Sequence, residues 1–239
     1  HVNLAFFNAA NTDGTSITTK FAASGSKSVS TVISFIKSKN KNTKVLASYG
    51  GASDDAKQVY IDILKSTSKI DTLVNTMINH AIKNNLDGID IDIEVSKISN
   101  YDYFISSLRS KCNANNLLLT TATAKWMTGY VSTTTINQFD FVNVMSYDDE
   151  GSQNHSSESR AQSDLKYFRD TMKVPANKIV LGVPFYGRTA YSNSGSEIKY
   201  SDAVAASTSN AERDSVTING TTYFYNGRTT IKNKCNYVK

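Results

Sequence analysis

Asp87-Gly88-Ile89-Asp90-Ile91-Asp92-Ile93-Glu94 is the stretch whose reading decides how this chain folds. Side chains alternate faces along an extended strand, so Asp90, Asp92 and Glu94 share one face while Ile89, Ile91 and Ile93 share the other. In an antiparallel sheet with one wet face that pattern is ordinary. In a βα-repeat protein both faces of a strand are covered, and the three carboxylates are aimed into a barrel interior or its mouth. Uncompensated buried charge is costly, so such acids must share protons, bond to polar neighbours or surround a cation. The strand by itself leaves open a solvated edge, a metal site and acid catalysis.

The flanking sequence supplies the βα context. Six short apolar runs read as buried strands: Val2 to Phe7, Val45 to Tyr49, Gly88 to Glu94, Leu117 to Ala122, Phe141 to Ser146 and Ile179 to Val183. Between the first two, Val29, Val32, Ile33 and Ile36 fall at i, i+3, i+4 and i+7, one stripe of a helix. Val74, Ile78, Ala81 and Ile82 repeat that spacing, and Leu165, Phe168 and Met172 do so again before Pro175. After Pro184 the pattern changes. Val216 to Ile218 and Thr221 to Tyr225 flank Asn219-Gly220, the pair best suited to a two-residue hairpin turn, so residues 188–229 read as a small antiparallel insertion. A last helical pattern begins near Thr230. The 239 residues suffice for one α/β domain, since α/β barrels run to roughly 250 residues.

Composition removes several classes of function. Hydrophobic residues make up 39% of the chain, and no run approaches the roughly 18 apolar residues of a membrane span, so no membrane partner is expected. The 26 Lys and Arg against 21 Asp and Glu are spread along helical stretches without interleaved aromatics, which reads as a solvated basic surface and not as a nucleic-acid site. Cys112 and Cys235 stand in no metal-binding spacing, and His80 and His155 are the only internal histidines. A metal-dependent barrel hydrolase would need ligands from several strand ends that the sequence does not offer, so no metal or other cofactor is expected. Two sequons, at Asn154 and Asn219, matter only in a glycosylating secretory pathway.

Asp87, Asp90, Asp92 and Glu94 resemble the DxxDxDxE motif of glycoside hydrolase family 18, the family of many chitinases. Other pieces fall in that family's order: the strand from His1 to Phe6, then Ser48-Tyr49-Gly50-Gly51, Met145-Ser146-Tyr147-Asp148, and Gly182-Val183-Pro184-Phe185-Tyr186-Gly187-Arg188. Each motif alone is weak, because Gly pairs end many strands and Tyr-Asp closes many turns. Together, in order and at successive strand ends, they carry the resemblance. It implies an α/β fold of (β/α)8 TIM-barrel type, and hydrolysis of chitin or related β-1,4-linked N-acetylglucosamine oligosaccharides by a secreted protein. The alternatives within the same resemblance are a non-catalytic chitin- or glycan-binding protein and an endo-β-N-acetylglucosaminidase acting on N-glycans.

The resemblance also implies a mechanism. The sugar's own 2-acetamido oxygen attacks its anomeric carbon, so no protein nucleophile is needed, and the product retains its configuration. Glu94 is then the proton donor and later the base, a double role that suits a raised pKa. Asp92 raises it by like charge and stabilises the oxazolinium cation, and Asp90 shares a proton with Asp92. Tyr147 donates to the acetamido oxygen, with Asp148 beside it. Met145, Phe6 and Gly51 follow as sugar-contacting positions, and Tyr186 and Arg188 are placed either to contact sugar or to pack at the barrel rim. Trp126, after the Leu117 strand, is placed either to stack on a pyranose ring or to pack on a helix. Asp87 reads as structural, bonding backbone at the strand start.

The chain departs from the family at both ends. The strands correspond to the second through seventh of eight, so the domain is expected to be an incomplete barrel lying within a longer protein, completed by a further segment or by a partner chain.

Overall fold

The computed structural model describes residues 1–19, 21, 27–148, 154–190 and 196–239. The elements run β1 (Val2–Phe7), α1 (Val29–Lys39), β2 (Val45–Gly51), α2 (Asp54–Ile63), α3 (Thr67–Lys83), β3 (Gly88–Ile93), α4 (Tyr101–Ala114), β4 (Leu118–Thr123), α5 (Thr133–Ile136) and β5 (Phe141–Val144). There follow α6 (Glu158–Lys166), β6 (Ile179–Leu181), β7 (Tyr186–Arg188), β8 (Glu197–Lys199), α7 (Tyr200–Ala205), β9 (Ser215–Ile218), β10 (Thr221–Phe224) and α8 (Arg228–Tyr237).

Two compact units are formed. The first comprises His1–Asn143 with Met172–Lys178, and the second Val144–Thr171 with Ile179–Lys239.

In the first unit β1, β2, β3 and β4 pair in parallel, with Leu46 opposite Gly88, Gly50 opposite Asp92 and Asp90 opposite Thr120. β5 continues beside β4, where Asp140 N–H donates to Leu119 O at 2.8 Å. Ile89, Ile91 and Ile93 are buried under helices, as alternation requires. Helices α2, α3 and α4 pack against β2, β3 and β4. The largest stripe is that of α3, with Ile70, Leu73, Val74, Met77, Ile78 and Ala81 all buried. Full burial of each such side chain stabilises by about 1.5–3 kcal/mol, which fixes β3 in the middle of the apolar layer. Asp87 anchors its start: Oδ2 accepts from Val45 N–H at 2.9 Å and from Lys37 Nζ at 2.6 Å, and Lys44 lies 3.2 Å from Oδ1.

In the second unit β6 begins beside the end of β5, where Gly182 N–H donates to Val144 O at 2.8 Å. A four-stranded antiparallel sheet is ordered β8-β7-β10-β9. Asn219 and Gly220, with φ of 50° and 77°, turn β9 into β10, the positive φ pair that a type I′ hairpin demands.

Three expectations are corrected. The antiparallel part begins at Tyr186, two residues earlier than the hairpin alone suggested, because β7 is three polar or glycine-containing residues with no strand signature. The stripe Leu165, Phe168, Met172 is not one α-helix: α6 ends at Lys166, a π-turn covers Tyr167–Thr171, and Met172 lies beyond it. Strands three, five and six stop at Ile93, Val144 and Leu181, so Glu94 and the segment Met145-Ser146-Tyr147-Asp148 sit just past strand ends, where loops carry function in α/β folds.

Candidate active site

On β3 the carboxylates divide by environment. Asp90 is 1% exposed and both its oxygens are occupied: Ser48 Oγ donates to Oδ2 at 2.7 Å and Thr120 Oγ1 to Oδ1 at 2.5 Å. Burial nevertheless raises its carboxyl above the usual range, outweighing the hydrogen bonds from Thr120, Ser48 and Asn3. Asp92 is 7% exposed, and its Oδ1 is buried with no hydrogen-bond partner. Burial first, then the neighbouring Glu94 and Asp90, push its carboxyl well above the ordinary value. Glu94 is partly buried at the strand end. Its charge acts on both Asp92 and Tyr130, whose hydroxyl donates to Ile93 O at 3.1 Å.

The adjoining strand is shaped by glycines. Gly50 has a φ of 126°, and a Cβ on it would lie 2.1 Å from Asp92 O; Gly51 has a φ of 93°, and a Cβ there would meet the Phe6 ring at 2.8 Å. Only glycine permits both the positive φ and the approach of β2 to β3 beside the acids. Asn8 clamps this turn, its Oδ1 accepting from Gly50 N–H at 2.9 Å and its Nδ2 donating to Gly50 O at 3.1 Å, with Tyr60 OH on the same Oδ1 at 3.1 Å. Trp126 stands on the 3-10 turn Lys125–Tyr130, 53% exposed, with its indole presented to solvent.

In the second unit Tyr147, Asp148, Tyr186 and Arg188 form one cluster. Tyr186 OH donates to Asp148 Oδ2 at 2.8 Å, Arg188 Nε lies 2.7 Å from Asp148 Oδ1, and Arg188 Nη2 lies 2.6 Å from Glu197 Oε1. The Tyr147 and Tyr186 rings meet edge to face at 6.3 Å. Burial works to raise the Asp148 carboxyl, but hydrogen bonds from His155 and Tyr186 and the charge of Arg188 win, and it is held below the usual range. Asp148 has a φ of 57°, left-handed backbone. Met145 is partly buried directly after β5.

The sequence-predicted residues thus fall into two groups: Asp90, Asp92, Glu94, Phe6 and Gly51 around β2 and β3, and Tyr147, Asp148, Tyr186 and Arg188 after β5 and β6. Ser48, Thr120, Asn8, Tyr130, Glu197 and His155 belong to these clusters too. Of these, Ser48 was visible within its motif, whereas Thr120 is brought to Asp90 only by strand register. His155 carried no sequence signal beyond its rarity. Among the described residues no group of three or more His, Cys, Asp or Glu is arranged to hold a metal ion.

Comparison with known proteins adds to this geometry. The model of the glycosyl hydrolases family 18 matches residues 1–239. The crystal structure of the GH18 chitinase ChiB from Flavobacterium johnsoniae is 27% identical with a TM-score of 0.86, over 100% of this chain and 76% of that one. A chitinase from Bacteroides thetaiotaomicron is 26% identical with a TM-score of 0.78, over 100% and 76% respectively. Chitinase A1 of Niallia circulans is 26% identical over 196 residues, 64% of this chain and 28% of that protein, so the chain spans less than a third of that relative's length. The six strands and the helices between them match the TIM-barrel chitinases it resembles, and a separate small antiparallel sheet follows them in the chain. A full-length match to the family's model, over an acidic strand with two buried aspartates and glycines fixed beside it, identifies the chain as a member of glycosyl hydrolase family 18.

Proposed function

We propose that this chain is the catalytic part of a chitinase-type glycoside hydrolase, acting outside the cell on β-1,4-linked N-acetylglucosamine polymers with retention of configuration. The observation that carries the reading is Asp92: buried beside Glu94, its carboxyl pushed well above the ordinary value, with Oδ1 left without a partner. A buried polar atom left unpaired is costly, and it is expected where a ligand supplies the missing partner. The acetamido N–H of a bound sugar is a donor of the required kind. That bond would turn the acetamido group so that its carbonyl oxygen attacks the anomeric carbon as the glycosidic C–O bond breaks.

Glu94 gives its proton to the departing oxygen. In the second step Glu94, now a carboxylate, takes a proton from the water that opens the oxazolinium ion, returning the acetamido group intact. Tyr147 is assigned from its motif as donor to the acetamido oxygen, while Asp148, Met145, Tyr186, Arg188, Phe6, Gly51 and Trp126 are assigned as sugar contacts. Asp90, held by Ser48 and Thr120, is assigned to share a proton with Asp92.

Glu94→Gln removes only the proton. It is expected to lower turnover of a fluorogenic N-acetylchitooligosaccharide by about two orders of magnitude or more while the circular dichroism spectrum stays as in wild type. EDTA should leave the wild-type rate unchanged. Variant activity within a few-fold of wild type, or efficient cleavage of fully deacetylated chitosan, would sink the proposal.

A further inference from the structure

The last helix carries an ammonium group into the interior of the second unit. Lys234 is 2% exposed, and its three N–H bonds are all used: to Ser156 O at 2.8 Å, to Ser156 Oγ at 2.8 Å and to Asn226 Oδ1 at 2.7 Å. Among the described residues no carboxylate forms an ion pair with it. A lysine so placed gives up its hydration for three neutral acceptors, an arrangement surface solubility does not require.

What these bonds fix is Ser156. Asn226 Nδ2 also donates to Ser156 O at 2.8 Å, and Ser156 Oγ in turn donates to Ser146 O at 2.8 Å. Ser146, Ser156 and His155 are all 0% exposed. Ser146 immediately precedes Tyr147. His155 immediately precedes Ser156, and its Nδ1 lies 3.2 Å from Asp148 N and 3.1 Å from Asp148 Oδ1, accepting the N–H in one tautomer and donating to the carboxylate in the other. The His155 ring also lies against Tyr186, with centroids 5.4 Å apart and planes 30° apart. Pinning Ser156 therefore holds the Tyr147-Asp148 backbone twice, through the Ser146 carbonyl and through the imidazole.

We propose that Lys234 is a positioning residue for Tyr147 and Asp148, acting through Ser156 and His155. This rests on the proposed hydrolase reading, since the two positioned groups are assigned there to the substrate. Burial brings the Lys234 ammonium down to about 8, with Asp214 and Glu158 acting to hold it up, so the brace is intact in its charged form at neutral pH.

The test is Lys234→Met, which keeps the chain's length and removes the three donors. Turnover of the fluorogenic oligosaccharide is expected to fall at least about fivefold with KM within about threefold, because orientation of the acetamido group is lost and not the binding surface. The His155 imidazole signals are expected to move in the NMR spectrum. The chain has three histidines, His1, His80 and His155, so these signals are assigned by substitution. A folded variant with lower melting temperature, kcat within twofold of wild type and unmoved His155 signals overturns the proposal and leaves Lys234 as an anchor of α8 alone. If Lys234→Met does not fold, Ser156→Ala decides by the same readouts, since it removes only the hydroxyl between Lys234 and Ser146. Should wild type cleave no N-acetylated oligosaccharide, the hydrolase reading fails by itself, and the His155 signals alone decide the brace.

Discussion

A carboxyl group in a dry interior is held in place by what donates to it, and at Asp90 the donors are two hydroxyls on neighbouring strands. Thr120→Val keeps the shape of the side chain and removes one of them. An acceptor left unpaired in the core costs about 1–3 kcal/mol, so the variant should melt several degrees lower at neutral pH by calorimetry, with reduced turnover as Asp92 loses its fixed neighbour. An unchanged melting temperature would show that the short Thr120 contact stabilises nothing. Alternation along the sequence was enough to put Asp90, Asp92 and Glu94 on one face. It could not give them different roles, because the residues that do so are remote: Ser48 lies 42 positions away and Thr120 lies 30. Only strand register brings them to the carboxylate.

Elements were legible where apolar spacing was long and regular. The first four strands stand within a residue or two of where their patterns put them, and of the α3 stripe Val74, Ile78 and Ala81 are buried while Ile82, at the helix end, is exposed. Helix α4 obeys the same rule, with Tyr101, Phe104, Ile105, Leu108 and Cys112 buried; its N-cap Asn100 is a residue type that suits the position, yet it lies in left-handed backbone and makes no side-chain cap bond. The three-residue strands β7 and β8 are held by the sheet around them and not by their own pattern. Helix α3 also carries a titrating group. His80 Nδ1 shares a 2.7 Å hydrogen bond with the buried Tyr49 hydroxyl, and burial lowers its pKa to about 4. The folded state therefore takes up this proton less readily than the unfolded chain. Stability from this group is full above about 6.5 and declines as pH falls to about 4, below which it contributes no further slope. Partial exposure keeps the effect on the order of 1–2 kcal/mol. Denaturant midpoints between pH 7 and 4 should fall less steeply for His80→Gln than for wild type; equal slopes would remove His80 as the cause.

At the scale of the whole chain the strand order matters most. β1 ends that order, pairing with β2 on one side, and its other edge has no strand partner among the described residues. An apolar edge of this kind templates pairing with another chain, so the polypeptide of residues 1–239 should sediment as a concentration-dependent mixture of monomer and larger species. A single monomeric boundary at all concentrations would count against this. The hairpin tip bears on the molecule's net charge in another way. Asn219 is exposed, and the residue after it has no side chain to shield its backbone nitrogen. That nitrogen can close on the Asn219 amide, expel ammonia and leave an aspartate or isoaspartate after hydrolysis. A stored sample should therefore drift from its formal charge of +5 towards a more acidic form, traceable by peptide mapping to this one turn. Glycosylation of the same amide nitrogen would block the route, so the age of the protein and the pathway that made it compete for a single atom.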